Sequence, residues 1–352
     1  MTSLLQQVHE VITDAMSEHG LDPRMCFTRV APVPPDASEV IVESSDAVVL
    51  ERVKEVLGSG APGPLRLRLL PDDAGPLPAG LVAASSVVDV RREAEHTSEL
   101  RSQIVYGDPV TPLKDEGDWT LVRLDDGYVG WIRNWHLSPV TLEQQRIYTK
   151  EAEHRVATNH AQVLERPEPD ALPVTDLVIG TALRATTCGR RGWRSVTLPD
   201  AREGFVTARS LERIPRRTRV SRERLASTGM RFLGIPYIWG GTTPKGFDCS
   251  GLIQRIFRLN GLLIPRDADM QARFGRRRSG YDPQVLETGD LVFFGASAEK
   301  ITHVVMMLSD GLFLHGYGQV RVGCLDPGHR LYEPKLHKIA QFARDPLAGS
   351  LR

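Results

Sequence analysis

Apolar residues Leu4, Leu5, Val8, Val11, Ile12 and Met16 recur at the spacing of one helix face. A short apolar run over residues 40–43 then predicts a strand, and residues 46–57 a second helix. Gly58 to Pro64 form a loop, which leads into an alternating strand over 65–70. Pro71, Pro76 and Pro78 mark a linker. Residues 1–80 therefore read as a small α/β unit, and no residue in it suggests chemistry.

From about Val87 the pattern changes to short strands and turns, and it repeats. Trp119, Val122, Gly130, Trp131 and Leu137 have counterparts at Trp193, Val196, Gly204, Phe205 and Leu211, each 74 positions on. Each copy has strand spacings suited to a small β-barrel, over 85–140 and 150–215. The plainest reading of Trp119 and Trp193 is barrel core. The first copy, with Asp118-Trp119 followed by Asp126-Gly127-Tyr128-Val129-Gly130-Trp131-Ile132, resembles bacterial SH3-like domains; the second is a weaker match. An arginine-rich connector from Arg213 to Arg224 reads as a solvated helix face. A third globular segment follows, over 222–352.

Composition narrows the function classes. The chain has 352 residues, with 44 basic and 44 acidic side chains. That balance argues against nucleic acid as a partner. The uncharged stretch from Ala74 to Val88 holds two prolines and is too short to span a membrane. The first basic residue is Arg24, and Glu10 and Asp14 interrupt the only early apolar run, so no export signal is read and a cytoplasmic location is expected. Four separated cysteines suggest neither a disulfide framework nor a zinc site. Cys26, Cys188 and Cys324 read as small buried apolar residues.

Cys249 is different. It follows Asp248, a good N-cap, and precedes Leu252, Ile253, Ile256, Phe257 and Leu259, an apolar helix face. A cysteine in the first turn of a helix meets unpaired N–H groups and the positive end of the dipole, which favour the thiolate. A thiolate nucleophile needs a histidine base and a group to orient it. Two strand-like runs carry His303 and His315, separated by Ser309-Asp310-Gly311. A three-residue loop pairs Leu308 with Leu312, sets His315 opposite Val305, and makes His303 and His315 diagonal neighbours on one face. A two-residue loop would put them on opposite faces.

These residues resemble the NlpC-type cysteine peptidases of bacterial cell-wall metabolism. The resemblance covers Leu225 to about Cys324. Its motifs are Tyr237-x-Trp239-Gly240-Gly241, Phe247-Asp248-Cys249-Ser250-Gly251, Pro265-Arg266-Asp267 with Gln271, Gly289-Asp290-Leu291-Val292-Phe293-Phe294, and His303-Val304. It implies an α+β chain whose papain-like catalytic domain follows the two SH3-like barrels and the N-terminal α/β unit. It also implies Cys249 as nucleophile, His303 as base and His315 as the orienting residue.

Two SH3-like domains before such a domain resemble a subgroup that cleaves between γ-D-glutamate and the L-diamino acid of wall peptides bearing a free N-terminal L-alanine. That likeness implies that Tyr128 and an acid hold the substrate's amine. Glu99 is the best match for the acid, with Glu93 and Glu95 as rivals. It also implies that Tyr237, Trp239, Asp248 and Ser250 line the cleft. Ala268 departs from the pattern, since relatives often carry serine there, and so does the N-terminal unit. The expected substrate is a murein peptide, L-Ala-γ-D-Glu-diamino acid, with no cofactor or metal; the oligomeric state is left open. A buried ammonium needs a carboxylate, so such a cleft rejects acylated amines and intact wall. Alternatives are a secreted hydrolase acting on intact peptidoglycan, a non-catalytic wall-peptide sensor, and an acyltransferase on the same fold.

Overall fold

A computed structural model describes residues 4–33, 39–58, 63–150, 152–215, 220–283 and 285–348. It divides into two compact units. One takes residues 1–82, 91–98 and 109–145; the other takes 83–90, 99–108 and 146–352. The four expected segments are therefore grouped differently, because the strands of the first barrel are shared out between the two units. No helix among the described residues is long and apolar enough to cross a membrane.

In the first unit, helices Leu4–Glu18 and Ala47–Leu57 accompany a three-stranded sheet. Its central strand, Val40–Ser44, is antiparallel to Thr28–Pro32 and parallel to Leu65–Leu69. Asp46 caps the second helix by accepting the Val48 N–H at 3.0 Å. Val8, Val42, Val49 and Val53 are fully buried in the core, with Cys26 close to it. Glu43 is buried too, and Lys114 from strand Pro109–Glu116 neutralises it at 2.6 Å. The buried Glu43 is thus met from the barrel strand by Lys114 and from the α/β piece's own strand by Arg68, at 3.5 Å.

The repeat is visible in strand register. Trp119–Arg123 pairs with Val129–Arg133, placing Val122 opposite Gly130. In the second unit Trp193–Thr197 pairs with Glu203–Thr207, placing Val196 opposite Gly204. Each second strand leads into a short 3-10 turn, Asn134–His136 or Ala208–Ser210. Trp119 and Trp193 are buried, as barrel core requires. Cys188 corrects an expectation: it is partly exposed, because its turn lies outside the second barrel's main core.

The rest of the second unit is a six-stranded sheet with helix Cys249–Leu259 packed on it. Lys300–Met307 lies between Leu291–Ser297 and Leu312–Tyr317, all antiparallel. Leu252, Ile253, Ile256 and Phe257 are fully buried, and each contributes about 1.5–3 kcal/mol. Arg222 corrects the picture of a solvated arginine face. It opens helix Arg222–Met230 and pairs with the buried Asp290 and Asp345, each at 3.2 Å. Those carboxylates and Glu287 are the only acidic trio close enough to hold a cation among the described residues, and Arg222, Arg276 and Arg278 already neutralise them.

Candidate active site

Asp248 has extended backbone and caps the helix that begins at Cys249, its Oδ1 accepting the Gly251 N–H at 2.6 Å. Arg266 grips the same carboxylate, with Nη2 at 2.6 Å from Oδ2 and Nη1 at 3.2 Å from Oδ1. Nη1 also donates to Ser250 Oγ at 3.0 Å. The start of the helix is thus clamped by a guanidinium that is 1% exposed.

The hairpin has the three-residue loop. Leu308 N–H donates to the Leu312 carbonyl at 2.8 Å, Met307 pairs with Phe313, and Met306 with Leu314. Asp310 and Gly311 both have positive φ; a three-residue loop asks for this only at its last position, where glycine stands. His303 Nε2 and His315 Nδ1 are 3.1 Å apart. The ladder stops at Met306↔Leu314, and the helix start fills the opening. The Val304 N–H points at the Cys249 sulfur from one strand. Gly316 backs against the helix from the other, so close that a Cβ there would lie 3.1 Å from the Asp248 carbonyl oxygen.

Cys249 and His303 line one cavity of about 460 Å3, together with Tyr237, Thr302, Tyr317, Glu333 and Lys335. Cys249 is 8% exposed. Burial, and then the Asp248 charge, push its thiol up to about 12. The N–H groups of Val304 and Ser250 and the Arg266 charge pull the other way and lose. A helix N-terminus supplies only ~0.3–1 kcal/mol, less than one pH unit's worth. The expected thiolate is therefore corrected to a resting thiol: the residue that caps the helix is itself an anion beside the sulfur.

Burial likewise holds His303 down to about 4, against the opposing Asp248 charge and with help from Arg321. It holds His315 down to about 3, with His303 and Arg321 adding to the effect. Arg321 Nε donates to His315 Nε2 at 3.3 Å, so His315 carries its proton on Nδ1 and donates it to His303 Nε2. These tautomers are assigned from the donor network. They leave the proton of His303 on Nδ1. To free that nitrogen both rings must exchange tautomers, with the new His315 Nε2–H facing Glu333 Oε1, 3.9 Å away.

The other predicted residues divide. Tyr237 is half-buried on the cavity wall, where burial and the nearby Cys249 raise its hydroxyl pKa. Trp239 is 64% exposed, and its indole N–H donates to Glu99 Oε1 at 3.0 Å. Gly240, with φ +78°, lies against Leu100, leaving no room for a Cβ. Asp248 and Ser250 stand in the Arg266 clamp and not among the residues lining this cavity. Ala268 is buried at the start of the short helix Ala268–Gln271. Tyr128 is buried in the first unit, its N–H bonded to Asp126 Oδ1 at 3.0 Å. Glu93 and Glu95 are exposed in that same unit.

Comparison with known proteins agrees with this geometry. Residues 234–341 match the NlpC/P60 family, and residues 90–137 match the bacterial dipeptidyl-peptidase Sh3 domain. Dipeptidyl-peptidase 6 of Lysinibacillus sphaericus is 30% identical over 267 residues, which cover 72% of this chain and 95% of that protein. The chain belongs to the NlpC/P60 family. A γ-D-glutamyl-L-lysine dipeptidyl-peptidase of Bacillus cereus is 29% identical over 271 residues, covering 72% of this chain and 78% of that one. The solved NlpC/P60 family protein of Bacillus cereus shares the fold, with a TM-score of 0.63 at 24% identity, covering 76% of this chain and 99% of that one.

For this NlpC/P60 peptidase, sequence reasoning quoted Arg266 within a motif but gave it no task, and it missed Arg321, Glu333 and Lys335. Arg321 and Glu333 pair at 2.6 Å directly behind His315. Residue spacing carries no signal for either, because their partners lie across strands. The signal available for Arg266 was that a buried N-cap carboxylate needs a cation.

Proposed function

We propose that this chain is a cysteine peptidase that hydrolyses the γ-D-glutamyl–L-diamino acid bond of cell-wall peptides with a free N-terminal L-alanine. The observation that carries the reading is a cysteine at a capped helix start sharing a cavity with a histidine that is itself bonded to a second histidine. It is supported by relatives named γ-D-glutamyl-L-lysine dipeptidyl-peptidase. In this reading the two rings first exchange tautomers; the freed Nδ1 of His303 then takes the Cys249 proton as the sulfur attacks the γ-carbonyl carbon, and His315 steadies the ring. A buried neutral thiol makes that transfer part of the attack. The tetrahedral oxyanion collapses to a thioester, His303 gives the proton to the departing amine, and water then releases the dipeptide.

Glu99 and Tyr128 hold the substrate ammonium in this proposal. Support for Glu99 comes from its bond to Trp239, which keeps a carboxylate beside the Tyr237-x-Trp239 motif. Tyr128 rests on the family likeness. Tyr237, Trp239, Asp248 and Ser250 complete the acyl side, the last two by holding the helix start. A free-amine requirement assigns the enzyme to released peptides, and so to murein peptide recycling in the cytoplasm.

The test offers L-Ala-γ-D-Glu-L-Lys, free and N-acetylated, and reads products by mass spectrometry. Wild type should release L-Ala-γ-D-Glu from the free peptide and leave the acetylated one intact, and Cys249→Ala should abolish turnover with the fold retained. Glu99→Gln should lower kcat/KM on the free peptide about ten- to a hundredfold, the effect of losing a charge-assisted contact. Equal cleavage of acetylated peptide or whole wall would replace this reading with the wall-hydrolase one.

A further inference from the structure

One wall of the cavity has a charge that no described residue answers. Its lining includes two charged side chains, Glu333 and Lys335. Glu333 is neutralised by Arg321 at 2.6 Å. Lys335, on the short helix Pro334–His337, is exposed and has no hydrogen bond or ion pair among the described residues. His303, held down to about 4, is neutral near pH 7. The wall therefore presents one uncompensated ammonium, in the cavity that holds the cysteine and its histidine.

The surroundings of Lys335 say which end of a substrate meets it. Of the acyl-side residues of the proposed function, Tyr237 lines this cavity with Cys249, while Glu99, Trp239, Asp248 and Ser250 do not. The lining that does lie with Cys249 and His303 includes Tyr317, Leu336 and Ile339. A diamino acid has a methylene stem suited to such apolar side chains, and it ends in charged groups that must find partners or water. The departing amine must lie within reach of the histidine that protonates it. The diamino acid itself carries a carboxylate on its main chain, and some diamino acids carry a second one at the end of the side chain.

We propose that Lys335 binds a carboxylate of the leaving diamino acid and so sets selectivity on the far side of the scissile bond. This rests on the peptidase reading above. Lysine serves here because an exposed ammonium on a flexible stem follows a carboxylate without demanding bidentate geometry. Because the contact is exposed, its effect is modest and falls with salt.

The experiment measures kcat and KM for wild type, Lys335→Met and Lys335→Arg on three peptides. They are L-Ala-γ-D-Glu-L-Lys as the free acid, the same peptide as its C-terminal carboxamide, and L-Ala-γ-D-Glu-diaminopimelate amidated at the main-chain carboxyl. Wild type should prefer at least one carboxylate-bearing peptide over the lysine carboxamide. Lys335→Met should shrink that preference about fivefold, through KM and not kcat, the size of an exposed ion pair. Lys335→Arg should keep most of it. Preference for the lysine free acid assigns the contact to the main-chain carboxylate; preference for the amidated diaminopimelate peptide assigns it to the side-chain one. Cleavage with ratios unaltered by Lys335→Met overturns this inference and leaves the peptidase standing. Failure of wild type to cleave any of the three overturns both.

Discussion

Two arginine–carboxylate pairs stand one residue away from the reacting groups, and burial divides them. Arg266 is 1% exposed and spends its donors on Asp248, Ser250 and Ser102 beneath the Cys249 helix. Arg321, with 38% of its side chain exposed, bonds Glu333 and His315 behind the hairpin. The same chemistry does different work. A buried pair is costly to break, because the surviving charge has nowhere to go, so it fixes position. An exposed pair is cheap to break, because water replaces the partner, so it tunes charge and tautomer without holding the fold.

The widest separation between the two should appear in stability. Arg266→Ala leaves the Asp248 carboxylate buried without its cation and should lower unfolding free energy by about 3–5 kcal/mol. Arg321→Ala should lower it by no more than about 1 kcal/mol. Denaturant unfolding of both variants, with the midpoint and slope fitted separately, checks this. Equal losses would dissolve the distinction.

A second, smaller separation concerns the sulfur. Arg266 is among the charges that lower the Cys249 thiol, and Arg321 is not. Wild-type labelling by iodoacetamide should climb about tenfold per pH unit from 7 to 10, since the thiol is pushed up to about 12 and only the thiolate reacts. Arg266→Met should label Cys249 more slowly at every pH, while Arg321→Gln should follow the wild-type curve. A wild-type curve that levels off near pH 8 would contradict the resting thiol.

Local patterns were legible in the sequence and distant partners were not. The histidine pair could be read because strand period and loop length fix which residues share a face, and Ser309-Asp310-Gly311 has the needed turn chemistry. The 74-residue repeat could be read because a glycine faces a valine at one register position in both copies. Strand Thr28–Pro32 was missed because it shows no alternation: four of its side chains are partly buried and Pro32 is exposed. Arg222 looked like a solvated charge because its carboxylates, Asp290 and Asp345, lie 68 and 123 residues away. Glu99 meets Trp239 across 140 residues, which no periodicity encodes. The Cys249 thiol was misjudged because a helix start is a local feature, whereas burial is a property of the whole fold.

The smallest effect expected is a shift in pH dependence, and it tests the exposed pair alone. A protonated His303 cannot accept the thiol's proton, so activity must fall as pH drops through its pKa. Burial sets that pKa low, the Asp248 charge raises it, and the Arg321 charge lowers it, giving about 4. His315 feels burial, then His303, then Arg321, all in the same downward direction. Removing the cation in Arg321→Gln therefore makes both rings easier to protonate, and the acid limb of kcat/KM should move to higher pH. Charge and hydrogen bond separate in Arg321→Lys, which keeps the cation but loses the Nε donor that fixes His315 on its Nδ1–H tautomer. Its acid limb should stay nearer the wild-type position than that of Arg321→Gln, while kcat at neutral pH reports what the tautomer contributes. An acid limb that stays in place in Arg321→Gln, or moves to lower pH, would mean that Arg321 does not act on the histidines, and the pair behind His315 would be no more than a surface contact.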